Sequence, residues 1–199
     1  NVAVGFEALK TEDADGTTTA VGYQALKTQN AGADSHNTAI GNVTGTAITT
    51  GVSNTLIGSL TGDALTVGGH NVAMGYEALS TDTQGSHSTA IGRRALKTQN
   101  FTSATDSHNT AIGNNAGQSV TTGTNNTLVG SRAGDAITSG LGNVGIGDEA
   151  LSTETQGQRS IGIGVGALLN QNTTSATDVY NTAVGHAAGN QVTSGTNIT

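Results

Sequence analysis

The sequence predicts an all-β protein, a parallel β-solenoid wound from coils of 17 residues. Three observations carry that prediction. A phrase of the type Asn-Thr-Ala-Ile-Gly recurs along all 199 residues and closes each time on a glycine. Within the phrase, β-branched residues alternate with alanine, the period of a strand with two different faces. No stretch repeats at the helical period, and glycine occupies 30 positions, roughly twice its average share.

The closing glycines are Gly5, Gly22, Gly41, Gly58, Gly75, Gly92, Gly113, Gly130, Gly147, Gly164 and Gly185. Their intervals are 17, 19, 17, 17, 17, 21, 17, 17, 17 and 21, so a unit of 17 accepts two or four extra residues at one place only. The extra residues fall within Lys27–Asp34, Lys97–Asp106 and Leu168–Asp178, between the second and third unit of each set of four. A single array of eleven coils follows, in super-repeats 1–70, 71–142 and an incomplete 143–199, which reads as an excerpt of a longer fibre.

Each element has its own justification. The residues ending at the glycine, as in Thr38-Ala39-Ile40, form a strand with a β-branched column on one face and an alanine-rich column on the other. Three residues after the glycine, a second short apolar element (Ala8-Leu9, Ala95-Leu96, Ala116-Gly117) is expected as a second strand. The remainder is Thr, Ser, Asn, Gly and Gln, the composition of turns. Coils stacked at about 4.8 Å would make a rod of about 50 Å. The slot four before the glycine holds Asn1, Asn37, Asn54, Asn71, Asn109, Asn126, Asn143 and Asn181, with Thr18, Ser88 and Ser160 between them. Either these side chains form a polar ladder along the axis, or asparagine is there because it tolerates left-handed backbone.

An aliphatic residue every six positions would close a hexapeptide helix. Counting on from Ile40 gives Thr46 and Val52, and from Ile112 gives Gln118 and Thr124, which disfavours that fold. One β-branched column, one alanine column and one Ala-Leu pair enclose a thin core, so burial against other chains is expected. The alanine and glycine columns suit close backbone approach there, and a trimer is the economical arrangement.

The phrase [Asn/Ser]-x-Ala-Ile/Val-Gly-x-x-Ala resembles the head repeats of YadA-type trimeric autotransporter adhesins. It is also similar to the Asn-Thr-Ala-Val-Gly-Tyr-x-Ala-Leu arrays of bacteriophage tail fibres and related bacterial surface proteins. The resemblance spans essentially the whole chain and implies a left-handed β-roll, three chains about one axis, and an extracellular fibre or adhesin. The coils differ from adhesin heads in having 17 rather than mostly 14 residues.

Chemistry is sparse. A net charge of −7 without a basic cluster argues against nucleic acid, no apolar run is long enough for a membrane span, and the lack of cysteine excludes disulfides and thiolate metal sites. His36, His70, His87 and His108 share the slot five before the glycine. Thr17, Ser53, Asn125, Gly142, Arg159 and Tyr180 occupy it elsewhere, so the column reads as solvent-facing and no metal or other cofactor is assigned. Glu12-Asp13-Ala14-Asp15-Gly16 hints at a calcium loop, but Thr81–Gly85 and Thr153–Gly157 each keep one acid, Asp82 and Glu154, and a solvated loop is expected. Glu7 and Glu77 follow Phe6 and Tyr76, yet no second carboxylate lies nearby in sequence for glycosidase chemistry. The aromatic residues, Tyr23 included, are expected to cover coil edges. Gly162–Gly166 superficially resembles a dinucleotide loop but precedes no helix. Sequons occur at Asn42, Asn100, Asn125, Asn172 and Asn197, and Asn100 and Asn172 fall in inserts expected to project.

The function expected from these features is structural: a shaft or spacer that is not an enzyme, associates with itself, and contacts a host receptor or glycan through the inserts. An ice-binding solenoid is the alternative, because Thr19, Thr38, Thr55, Thr89, Thr110, Thr127 and Thr182 form a partial threonine column. A β-helical polysaccharide-processing enzyme comes third.

Overall fold

A computed structural model describes residues 1–13 and 16–199. Eleven three-residue strands stack in chain order into one parallel sheet: Val2–Val4, Thr19–Val21, Thr38–Ile40, Thr55–Ile57, Val72–Met74, Thr89–Ile91, Thr110–Ile112, Thr127–Val129, Val144–Ile146, Ile161–Ile163 and Thr182–Val184. The chain is an all-β solenoid, one strand per coil. Register never slips: Thr38, Ala39 and Ile40 lie beside Thr55, Leu56 and Ile57. Across the 21-residue intervals Ala90 still meets Ala111, and Gly162 still meets Ala183. The extra residues leave the stack and return, and in the second super-repeat they add a small parallel pair, Gly85–Ser86 with Thr105–Asp106.

The closing glycine is required twice over. At Gly113 φ is 144°, a backbone region open essentially to glycine, and an added Cβ would lie 2.3 Å from the carbonyl oxygen of Gly130 in the next coil. The next coil's glycine blocks its predecessor in the same way from Gly5 to Gly164, which explains why this position never varies.

The Ala-Leu segment is not the second strand that the sequence suggests. Residues two and four beyond the glycine are left-handed, as in Glu77 (φ 55°) and Leu79 (φ 53°), so the chain turns a corner there. Adjacent coils still bond through it: Leu79 N donates to Ala95 O at 3.0 Å and Leu96 N to Ala116 O at 3.1 Å.

Behind the sheet lies a narrow core. The strand alanines Ala20, Ala39, Ala73, Ala90 and Ala111 are fully buried and cluster with a row that includes Leu26, Leu79 and Leu96. This corrects the sequence-based placement of the alanine column at an interchain contact. A coil this thin has room behind the strand only for small side chains once the corner leucine points inward, so the β-branched column faces outward.

The super-repeat of four follows from volume. In its first two coils a leucine stands four beyond the glycine and a polar residue seven beyond, as in Leu79 with Asp82 and Leu96 with Gln99. In the other two, glycine takes the first position and an aliphatic residue the second, as in Gly117 with Val120 and Gly134 with Ile137. A Cβ on Gly117 would lie 2.9 Å from Leu128 Cδ1 and 3.0 Å from Leu96 Cδ2, so this glycine leaves space for its neighbours. Each coil thus carries one large apolar group at this corner.

Candidate functional site

Where that slot seven beyond the glycine is polar, it forms the most organised side-chain constellation, recurring in each super-repeat. Asp82 and Glu154, the single acids of the stretches cognate to Glu12–Gly16, are fully buried, so the solvated-loop expectation for that stretch does not extend to them. Asp82 Oδ1 accepts the Gly85 N–H at 2.9 Å and the Phe101 N–H at 3.1 Å, and Oδ2 accepts Gln99 Nε2 at 2.6 Å. Glu154 Oε1 accepts Gly157 N at 2.8 Å and Thr173 N at 2.9 Å, with Gln171 Nε2 on Oε2 at 2.8 Å. Buried charge is tolerable here because each carboxylate meets several N–H donors. The first super-repeat repeats the bond between Gln29 Nε2 and Glu12 Oε2 at 2.8 Å, although Ala14 and Asp15, part of the suggested calcium loop, lie outside the described residues.

Each glutamine completes a box. Gln99 Nε2 also donates to Ser88 Oγ at 2.9 Å, and its Oε1 accepts Asn109 Nδ2 at 2.9 Å. Gln171 makes the equivalent bonds to Ser160 at 3.0 Å and Asn181 at 2.8 Å. Phe101 and Thr173 are the second residues after their box glutamines, so the buried acid of one coil ties down the root of the insert in the next. Beyond the root, residues 102–104 and 174–177 are exposed, and the inserts project from an anchored base. Asn100 and Asn172 are exposed too, with Oδ1 accepting Thr83 Oγ1 at 3.0 Å and Thr155 Oγ1 at 2.9 Å.

Of the two readings of the asparagine slot, the ladder holds. Asn54 Oδ1 accepts the Asn71 N–H at 3.1 Å while its Nδ2 donates to Gly68 O at 3.0 Å, both one coil on. Asn37, Asn126 and Asn143 repeat the pattern, mainly to backbone rather than to one another. Left-handed backbone belongs to the preceding slot, occupied by His70 (φ 58°), His87 (φ 61°) and His108 (φ 48°).

Those histidines are exposed, as their mixed column implies, yet they stack. The His70 and His87 rings lie 4.9 Å apart at 11°, and the His87 and His108 rings 5.1 Å apart at 30°. Phe6 and Tyr23 likewise stack at 5.5 Å along a coil edge, and both are exposed. The acids that follow Phe6 and Tyr76 sit in ion pairs. Glu7 meets Lys10 at 2.6 Å and Lys27 at 2.7 Å, and bonds chiefly to Lys10 hold its carboxyl down at about 2. Glu77 meets Lys97 at 2.7 Å and Arg94 at 2.8 Å, and the bond from Lys97 is the main reason its carboxyl also falls to about 2.

On the outward face of the sheet the first column mixes Thr, Val and Ile, while the second is aliphatic in every coil, from Val4 to Val184. Ile40, Met74, Ile112 and Ile146 are each 37–41 % exposed in the single chain. No pocket opens among the described residues. No family model, curated protein or solved structure matches the chain.

Proposed function

We propose that this chain is a shaft segment of an extracellular homotrimeric fibre, a phage tail fibre or microbial surface adhesin, whose outward sheet face packs against its copies. The observation that supports it is the second outward column. Eleven successive coils place Val, Ile or Met there although water would accept any polar residue. A continuous aliphatic stripe along the sheet fits a repeated, axially aligned contact, since apolar burial stabilises in proportion to area. The backbone and asparagine ladders add stiffness along the axis, so the role is mechanical. The anchored, projecting inserts offer receptor or glycan contact at regular axial intervals. The YadA-type and tail-fibre resemblance supplies the number three.

Replacing Met74 and Ile112 together by Glu sets two charges into that stripe without touching the internal core. The fibre reading expects the solution mass of this variant to fall towards one chain while its β-sheet circular dichroism persists. An unchanged mass would place the contact elsewhere. The threonine column, outward on the same face, is the specific feature favouring the ice-binding alternative. Thermal hysteresis in dilute solution would support that alternative, and its absence would remove it.

A further inference from the structure

We infer that His87, His108 and Asp106 form a binding site for one divalent transition-metal ion, with zinc or copper the fitting chemistry. One donor atom from each lies within 4.8 Å of the other two, and His87 Nδ1 is 3.0 Å from Asp106 Oδ1. Two imidazoles and a carboxylate suit Zn2+ and Cu2+, with water completing the coordination.

The neighbouring super-repeat shows what these slots require. There the same three positions carry Arg159, Tyr180 and Asp178. Arg159 is ion-paired with Asp178, its guanidinium lies 5.9 Å from the centre of the Tyr180 ring, and the Tyr180 hydroxyl donates to Asp178 Oδ2 at 3.0 Å. A permanent side-chain cation therefore closes the third super-repeat. In the second, Asp106 keeps the carboxylate, but the cation and its aromatic cover are both replaced by imidazoles, which are metal ligands. A bound metal ion would take the place of the guanidinium.

The backbone beneath is held by hydrogen bonds, while the ligand side chains are exposed. Asp106 lies in a strand paired to Gly85–Ser86, and His87 N donates to Gly69 O at 3.1 Å. Ser88, Ser107 and Asn109 flank the histidines and are buried, with Ser88 and Asn109 bonded to Gln99. The exposed rings then need only swing together, since ligands at 2.0–2.1 Å from zinc sit about 3.3 Å apart.

The test is isothermal titration of Zn2+ into the 199-residue chain, with Cu2+ electron paramagnetic resonance as a second readout. One saturable site per chain is expected, with two imidazole nitrogens on copper and release by a chelator. His87→Arg and His108→Tyr borrow the residues of the third super-repeat and so preserve the corner. Each should weaken zinc by roughly tenfold or more. His36→Ala should leave it unchanged. Absence of saturable binding would overturn the site. So would equal affinity in His87→Arg, or a loss in His36→Ala as large as in His108→Tyr, which would mark scattered surface chelation.

Discussion

Replacing Asp82 with Asn probes the anchor of the insert with almost no change of shape. Asn retains one oxygen, which can keep the bonds from Gly85 at 2.9 Å and Phe101 at 3.1 Å. Its amide nitrogen must then face Gln99 Nε2, 2.6 Å from the present Oδ2, so that donor meets donor. Gln99 cannot turn over cheaply, because its own amide already serves Ser88 and Asn109, both at 2.9 Å. The variant loses one charge-assisted bond and leaves buried donors unpaired, a cost of about 2–3 kcal/mol.

Because the array is quasi-linear, the loss should be local rather than global. Amide hydrogen exchange at Gly85 and Phe101 is therefore the appropriate assay. A cost of about 2 kcal/mol corresponds to roughly thirtyfold faster exchange there, at 1.4 kcal/mol per decade. Amides of Leu26 and Leu168, in the other super-repeats, should be unaffected. Combining Asp82→Asn with Gln99→Glu exchanges acid and amide, restores a donor opposite each acceptor, and should recover most of the protection. Wild-type exchange at both amides in the single variant would refute this account of the anchor. A double variant no better than the single would refute the pairing with Gln99.

Other consequences follow from named positions. Gly113→Ala should destabilise the array by at least about 1–3 kcal/mol from backbone strain, with the collision against Gly130 in addition. Gly166→Ala should stay within about 1 kcal/mol of wild type in urea, since nothing lies within 4 Å and other coils carry side chains there at the same left-handed φ. Asp63 has a buried oxygen without a partner, and burial pushes its carboxyl up. The ionised form therefore costs stability at neutral pH, a cost relieved as pH falls through the raised folded value. Asp63→Asn should raise the thermal midpoint at neutral pH and lose that advantage in acid; equal gains at both would refute the linkage. Glu77 runs the opposite way: its pairing contribution is present above the unfolded value and is lost as pH falls through about 2. Carboxyl carbon shifts should titrate near that value, and Lys97→Met should move the midpoint upward. A wild-type midpoint at the ordinary glutamate value of 4.5 would show that the ion pair does not form.

Much of the architecture was legible because neighbouring residues encode it. The Thr-Ala-Ile alternation names the strand, the closing glycine marks a position that no side chain can occupy, and the spacing of those glycines sets the register through both long inserts. Period two assigns two faces, however, without saying which one is inside. Ala39 reads as a contact for another chain until the corner leucines are seen filling the same narrow interior. The Ala-Leu element looks like a strand because left-handed φ at Glu77 and Leu79 leaves no mark in residue type. The pairing of Asp82 with Gln99 is hidden for a different reason: its partners lie one coil away, and the acid-then-glutamine signal returns only once per super-repeat. The signal stands in the slot seven beyond the glycine, where Glu12, Asp82 and Glu154 are followed one coil later by Gln29, Gln99 and Gln171. The histidine column was visible, but the match between His87, His108, Asp106 and Arg159, Tyr180, Asp178 acquires chemical meaning only when the coils are stacked.

The most direct test of the fibre account is the absolute mass of the purified chain, by light scattering on a chromatographed sample. An aliphatic stripe packed against its copies in a trimer predicts three times 19.6 kDa. A folded, stable species at 19.6 kDa would mean that the outward face meets water and not another chain, contradicting the account.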